Sequence, residues 1–162
     1  MVEIRRLPTD RWRDFRSLRL KALKSDPSAY GSSFEEERSL AEKEWRRRIR
    51  SVTFALCEDR PVGMITCYFN NGIKTKHIAE IYGFYVEPDR RGEGIGARLF
   101  ERALAASRRK KGIIKVSLAV NPEQRVAIRI YRKAGFVVTG RTEKELKVGR
   151  QYYGMLFMEK ML

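Results

Sequence analysis

Ile78-Ala79-Glu80-Ile81-Tyr82-Gly83-Phe84-Tyr85-Val86, then Glu87-Pro88-Asp89-Arg90, then Arg91-Gly92-Glu93-Gly94-Ile95-Gly96, is the stretch that decides how this chain folds. A β-rich run ends at Glu87-Pro88-Asp89, and a loop with glycines at Gly92, Gly94 and Gly96 follows. Ile95, Leu99, Phe100, Ala103 and Leu104 then recur at helical spacing through Lys110, with Gly112 as terminator. Strand, glycine loop and amphipathic helix form the arrangement expected of a phosphate cradle. Unpaired backbone N–H groups project from a helix N-terminus, the dipole adds about half a positive charge, and missing Cβ atoms let a diphosphate approach the backbone. Arg90 and Arg91 add positive charge beside it. Glycines before a helix also serve as plain turn formers, so the spacing alone is a weak signal.

Two common phosphate loops do not fit. The G-x-x-x-x-G-K-[ST] loop needs Lys after its last glycine, whereas Gly96 is followed by Ala97-Arg98. A dinucleotide fold needs its glycines after an early strand of a βαβ unit, and here an antiparallel hairpin comes first.

Working outward, Val2 to Arg6 alternates apolar and charged residues as a half-buried strand does. Pro8-Thr9 leads into a helical stripe of Trp12, Phe15, Leu18, Ala22 and Leu23 that stops before Pro27. Ser32 and Ser33 each precede a glutamate by three residues, so a capping box starts a second helix that is expected to continue to Arg50. Glu35-Glu36-Glu37 suits a helix N-terminus, and the same cluster suits a cationic substrate. Val52–Cys57 and Val62–Phe69 read as an antiparallel hairpin around Glu58-Asp59-Arg60-Pro61, with a turn at Asn70-Asn71-Gly72 and a third strand over Ile78–Val86. Ile113–Val120 is the next strand, and the helix after Pro122 carries Ala127, Ile130, Tyr131 and Ala134 on one stripe, closed by Gly135. Phe136–Lys147 and Tyr152–Leu162 read as a final hairpin around Gly149-Arg150. The expected fold is α/β (α+β): residues 1–162 as one domain, with a mixed, mostly antiparallel sheet of about seven strands flanked by about four helices.

The 162 residues are 43% hydrophobic and 10% aromatic, enough apolar material to exclude a disordered chain. No apolar run approaches the roughly 18 residues that span a bilayer, and Met1 to Arg6 lacks the apolar stretch of a signal peptide, so a cytoplasmic protein without a membrane partner is expected. Cys57 and Cys67 lack the short paired spacing of a metal or redox site and read as reduced core thiols, with no metal. The formal net charge of +15 is the global oddity. It suits nucleic-acid phosphates, steering of an anionic ligand, or a solvated Arg/Lys-rich face. Of the densest runs, Trp45–Arg50 and Arg108–Lys111, the second complements a helix C-terminus.

Arg91-x-x-Gly94-x-Gly96, preceded by Ala79–Pro88 and followed by Ala127-Ile128-x-x-Tyr131-x-Lys133-x-Gly135-Phe136, resembles the GNAT superfamily of N-acetyltransferases. The match covers roughly Ile78 to Phe136, and Tyr153-Gly154-x-x-x-x-Met158-x-Lys160 resembles the family's closing strand. The resemblance implies a sheet splayed in its middle and acetyl-coenzyme A as cofactor. Backbone amides of Arg91, Gly92, Glu93, Gly94, Ile95, Gly96 and Ala97 are implied to hold the pyrophosphate. Phe84, Tyr85 and Val86 are implied to pair with the pantetheine arm, with the Val86 amide near the thioester carbonyl. Many members place an asparagine seven residues before the tyrosine; here that position is Gln124, with Asn121 nearby, and either amide can serve.

The implied activity is transfer of an acetyl group to a primary amine, of a small molecule or a protein, by direct attack in a ternary complex. A lysine-like amine has a pKa near 10.4 and must lose a proton first. Glu80 matches the glutamate used as base in the histone-acetylating branch; its alternative is a carboxylate that only pairs with an arginine. His77, the only histidine, is a second candidate base at the start of the strand. Tyr131 lies where members place a proton donor to the departing thiolate, though it also falls on an apolar stripe where an aromatic serves as core. A phenol near pKa 10 is a weaker acid than a thiol near 8.5, so hydrogen-bond donation is easier than complete proton transfer. The competing function is a basic nucleic-acid-binding module, which lacks an RNP-like, zinc-finger or KH pattern. A monomer or a homodimer is expected.

Overall fold

The computed structural model describes all 162 residues. Seven strands form one sheet in the order β1-β2-β3-β4-β5-β7-β6. They are β1 (Val2–Arg5), β2 (Val52–Cys57), β3 (Arg60–Phe69), β4 (Ile78–Val86), β5 (Lys115–Val120), β6 (Val137–Val148) and β7 (Gln151–Met161). Every neighbouring pair is antiparallel except β4 and β5, which run parallel. The sheet is therefore mixed and mostly antiparallel, as expected. The β2–β3 turn is tighter than the sequence suggests: only Glu58 and Asp59 lie outside the strands, both with positive φ (49° and 63°), so β3 begins at Arg60.

A helical layer covers each face. On one, α4 (Ile95–Arg109) and α5 (Arg125–Lys133) bury Leu99, Phe100, Leu104 and Tyr131 against Val62, Ile65 and Val116. On the other, α1 (Trp12–Ser25) and α3 (Glu42–Arg48) bury Phe15, Leu18 and Trp45 against Phe54 and Met64. Phe15 meets Trp45 edge-on at 5.3 Å and Phe54 at 5.9 Å, geometry favoured by the ring quadrupoles.

The helix expected from Ser33 to Arg50 is two helices. The capping box forms at Ser33, whose hydroxyl accepts the Glu36 N–H at 3.2 Å while Glu36 accepts the Ser33 N–H at 2.9 Å. The helix it starts, α2 (Phe34–Glu37), ends after one turn, and α3 starts again at Glu42. The break lets α2 turn Glu37 inward against Arg19 while α3 drops Trp45 into the core. It raises the number of α-helices from about four to five.

Between β4 and β5 only Ile78–Lys115, Ala79–Val116 and Glu80–Ser117 pair. Past Glu80 the two strands part, so the splay expected from the resemblance is present. The β3–β4 register explains it. Thr66 faces Tyr82 and Met64 faces Tyr85, so Ile65 alone opposes Gly83 and Phe84, a β-bulge with Gly83 at φ +62°. A bulge bends its strand, and β4 turns away from β5, which β7 holds from Lys115 to Val120.

Gly83→Ala places a side chain at a positive φ and a Cβ 3.1 Å from Thr66 Oγ1. Denaturant titration is expected to show a loss of about 1–2 kcal/mol.

Candidate functional site

The parted strands open a cavity of about 840 Å³, the size of a small-molecule site. It is walled by β4 from Glu80 to Phe84, by β5 from Ser117 to Val120, and by Tyr131 of α5. The glycine loop lies beyond the end of β4. Gly92 and Gly94 take positive φ (85° and 76°), and a Cβ on either would meet nothing within 4 Å, so the space outside the loop is open. Every backbone N–H from Gly92 to Ala97 is without a backbone partner; the first such bond, Arg98 N–H to the Gly94 carbonyl, comes one residue later. These unpaired donors at the start of a 15-residue helix are of the kind that can receive an anion. Gly96 has another role: a Cβ there would press on Phe84 Cζ at 3.2 Å and Ile130 Cδ1 at 3.4 Å, so its absence lets α4 close against β4 and α5.

The two arginines beside the loop are less free than the sequence suggests. Arg91 donates from Nε to the Val86 carbonyl at 2.9 Å and from Nη2 to Asp26 at 2.6 Å. Arg90 pairs with Glu93 at 3.1 Å. Their charge is largely offset by the chain's own acids, and the loop amides remain the unsatisfied donors.

Of the pantetheine-strand residues, Phe84 lines the cavity with its ring 6.1 Å from that of Tyr131. Tyr85 points the other way into the α1 side, where its hydroxyl meets Ser25 Oγ at 3.2 Å, and Val86 is half-buried at the strand end. Gln124 lines the cavity. Asn121 is buried and engaged at both ends of its amide: Nδ2 donates to the Ser28 carbonyl at 3.1 Å and Oδ1 accepts the Glu123 N–H at 2.9 Å. Of the two amides, Gln124 is the one left free to meet a ligand.

Glu80 stands where β4 and β5 separate, exposed to the cavity, and accepts one hydrogen bond, from Asn70 Nδ2 at 3.0 Å. No arginine pairs with it. Every other charged side chain lining the cavity has an opposite partner: Arg19 and Arg48 with Glu37, Arg47 with Glu44, and Glu159 with Lys115. His77 stays half-buried at the start of β4 and outside the cavity lining.

Tyr131 is both core and cavity wall. Its ring packs 4.9 Å from Phe100 and 6.3 Å from Phe136, and only 5% of the residue is exposed. The hydroxyl makes no hydrogen bond within the chain, and burial alone pushes the phenol far above the ordinary tyrosine value. Tyr131 is therefore an O–H donor at any physiological pH.

Two wall residues, Arg19 and Tyr30, escaped the sequence reading, and a third, Glu37, which was read with Glu35 and Glu36 as suiting a helix N-terminus or a cationic substrate, turns inward to an arginine instead. Arg19 of α1 donates from Nε and Nη2 to Glu37 at 2.9 and 2.7 Å, and its guanidinium covers the Tyr30 ring at 4.7 Å. Arg19, Tyr30 and Glu37 lie together only in the folded chain. Arg19 sits among the many charges of α1, Tyr30 carries no spacing that points to it, and the acidic cluster does not say which of its three carboxylates turns inward.

A family model described as the acetyltransferase (GNAT) family matches residues 10–136. The chain is 35% identical over 109 residues to an uncharacterised N-acetyltransferase of Methanocaldococcus jannaschii, covering 65% of this chain and 46% of that protein. It is 33% identical over 95 residues to a peptidyl-lysine N-acetyltransferase of Salmonella typhimurium, covering 59% and 54%. The chain spans about half the length of the curated relatives it matches. Among solved structures, a GNAT-family acetyltransferase from Streptococcus pneumoniae superimposes over 100% of both chains with a TM-score of 0.89 at 15% identity. A putative acetyltransferase from Salmonella typhimurium with acetyl-CoA gives 0.85 at 16% identity, over 99% of this chain and 94% of that one. These two share the fold.

The Arg19–Glu37 pair carries a stability consequence. Burial by itself would raise the Glu37 carboxyl; hydrogen bonds from Arg19 and Ser32 and the charges of Arg19 and Arg48 outweigh it and hold the pKa below the ordinary value. A lowered folded-state pKa means stabilisation that is present above the unfolded value of about 4.3 and lost as pH falls through the folded one. Glu37→Gln is expected to cost about 3 kcal/mol in a denaturant titration at pH 7. The gap to wild type should narrow at pH 3.

Proposed function

The chain belongs to the acetyltransferase (GNAT) family, and on that premise we propose that it transfers an acetyl group from acetyl-CoA to a primary amine, of a small molecule or a protein, in a ternary complex. The observation that carries the proposal is Glu80: the only charged side chain lining the cavity without a counter-charge is a carboxylate, at the point where the strands part. A carboxylate there attracts an ammonium group and accepts its proton, directly or through water.

The residues present fit the cofactor. The free amides of Gly92 to Ala97 and the open space outside Gly92 and Gly94 suit a diphosphate. The unpaired edge of β4 past Glu80 suits an arm that adds as a strand would, with Gln124 facing it across the cavity. When bound, acetyl-CoA supplies an acetyl group activated as a thioester. Glu80 takes the proton that the amine gives up as it becomes the nucleophile, directly or through water. Tyr131, kept protonated by burial, would offer its O–H as a hydrogen-bond donor to the thioester sulfur, and its raised pKa favours donation over full proton transfer. Phe84 and Phe100 pack against the Tyr131 ring and fix it in the cavity wall. The part of the cavity lined by Tyr68, Tyr82, Arg47 and Arg48, on the α1–α3 side of the sheet, is left for the acceptor.

Thiol release from acetyl-CoA with a panel of polyamines, amino acids and lysine peptides tests the proposal: release that requires an amine is expected, and none with any amine refutes it. In the active assay Glu80→Gln keeps the shape but not the basicity. Its rate should fall by roughly 10²-fold at neutral pH and partly recover as pH approaches the amine's pKa. An unaltered pH–rate profile makes Glu80 a structural carboxylate.

Tyr131→Phe separates catalyst from core. With the ring retained, a core role leaves activity nearly unchanged. A leaving-group role lowers kcat by roughly 10²-fold with cofactor affinity unmoved, and the gap narrows for donors whose thiols are more acidic.

A further inference from the structure

The bulge at Gly83-Phe84 leaves a carbonyl that no strand holds. Tyr82 pairs with Thr66 and Tyr85 with Met64, so Phe84 sits on the unpaired stretch between them and lines the cavity. Its carbonyl accepts one hydrogen bond, from the Tyr30 hydroxyl at 3.1 Å. Tyr30 belongs to the segment between α1 and α2, and this segment is tied to both sides of the gap. On the β4 side it holds the Phe84 carbonyl, and Asp26 holds Arg91. On the β5 side the Ser28 carbonyl accepts from Asn121 Nδ2. The segment is a strap across the parted strands.

Tyr30 is itself held in place. It is buried, the Arg19 guanidinium lies 4.7 Å from its ring centre, and Glu37 fixes that guanidinium by two hydrogen bonds. Burial is the main reason its phenol is pushed up, so the O–H persists wherever the protein works.

Resting on the acetyl-transfer reading above, we propose that Tyr30 is a positioning residue: by holding the Phe84 carbonyl it removes from the reaction gap a hydrogen-bond acceptor that would keep the incoming amine in its protonated, unreactive form. A buried carbonyl without a donor takes the nearest one, and in a gap that receives an ammonium group that donor is the substrate. With the carbonyl occupied, Glu80 is the acceptor left to take the proton. The ionisable groups around this peptide are Arg19 on α1, Glu37 on α2, Arg48 on α3, Asp26 and Arg91 at the strap's base, Tyr85 behind it and Tyr131 beside the Phe84 ring. None of these side chains has an ordinary pKa in the neutral range, so a shift there reports on the acceptor and its base.

Tyr30→Phe deletes the hydroxyl and keeps the ring under Arg19, and circular dichroism checks that the fold is retained. The expected result is an acidic limb of the kcat–pH profile displaced upward by about half to one unit, with kcat at pH 7 down roughly three- to tenfold. The difference should shrink as pH rises, and coenzyme A affinity by calorimetry should be unchanged. Asn121→Ala releases the strap from β5 without uncovering the Phe84 carbonyl and controls for loosening. A limb that does not move in Tyr30→Phe, or that moves equally in both variants, makes Tyr30 a structural tie and overturns the inference. An amine-independent wild type overturns the acetyl-transfer reading itself; an active wild type with an unshifted Tyr30→Phe profile overturns this inference alone.

Discussion

Two parallel strands that pair over three residues and then separate impose the constraint on which the rest of this structure depends. Backbone polar groups that leave a sheet must find other partners or face water. Past Glu80 the β4 carbonyls of Phe84 and Val86 are met by side chains, Tyr30 and Arg91. On the far side β5 leans wholly on β7. The opening persists because each edge is stabilised separately, and the bulge supplies the bend that directs β4 away. The helices follow from this: α4 must start where β4 stops, which brings its free amides to the mouth of the opening.

Charge is distributed unevenly around that opening. The first half of the chain is laced with ion pairs, among them Arg5 and Arg11 with Asp59, Lys21 and Arg60 with Glu87, and Arg46 with Glu42. Arg102, Arg109, Arg125, Arg129 and Arg132 on α4 and α5 are exposed and enter no salt bridge. Much of the net charge of +15 is therefore carried by the helical layer around the glycine loop. Such a field raises the encounter rate with an anionic ligand whether or not any one cation touches it. Within the cavity the arrangement reverses, cations are neutralised, and a single carboxylate remains.

The strands, the glycine loop, α4 and α5 were legible because their signals are local: period-two runs, positive-φ glycines before a helix, and an apolar stripe of period 3.6. Glu80, Tyr131 and Gln124 could be named from the motifs around them, and the fold brings all three to one cavity. The helix break at Arg38–Ala41 was not legible. Glu37 and Trp45 each need their own burial direction, and one straight helix cannot satisfy partners that lie far off in sequence. The bulge left a trace that was passed over, a glycine inside an otherwise β-branched and aromatic strand. Arg19 and Tyr30 left none, because their roles come from tertiary contacts with Glu37 and Phe84 alone.

The short seam at Ile78–Glu80 also divides the sheet in two. On one side of it β2, β3 and β4 follow one another as antiparallel neighbours, and β1 reaches β2 across the whole α1–α3 segment. On the other, β5 finds β7 only after α5 and β6 have been laid down between them. The ladder that joins these two sides narrows to the few bonds around Ala79, while a single core under α4 and α5 spans both, from Val62 and Ile65 to Val116 and Met158. What holds the two halves of the sheet together past Glu80 is thus side-chain packing rather than backbone hydrogen bonding.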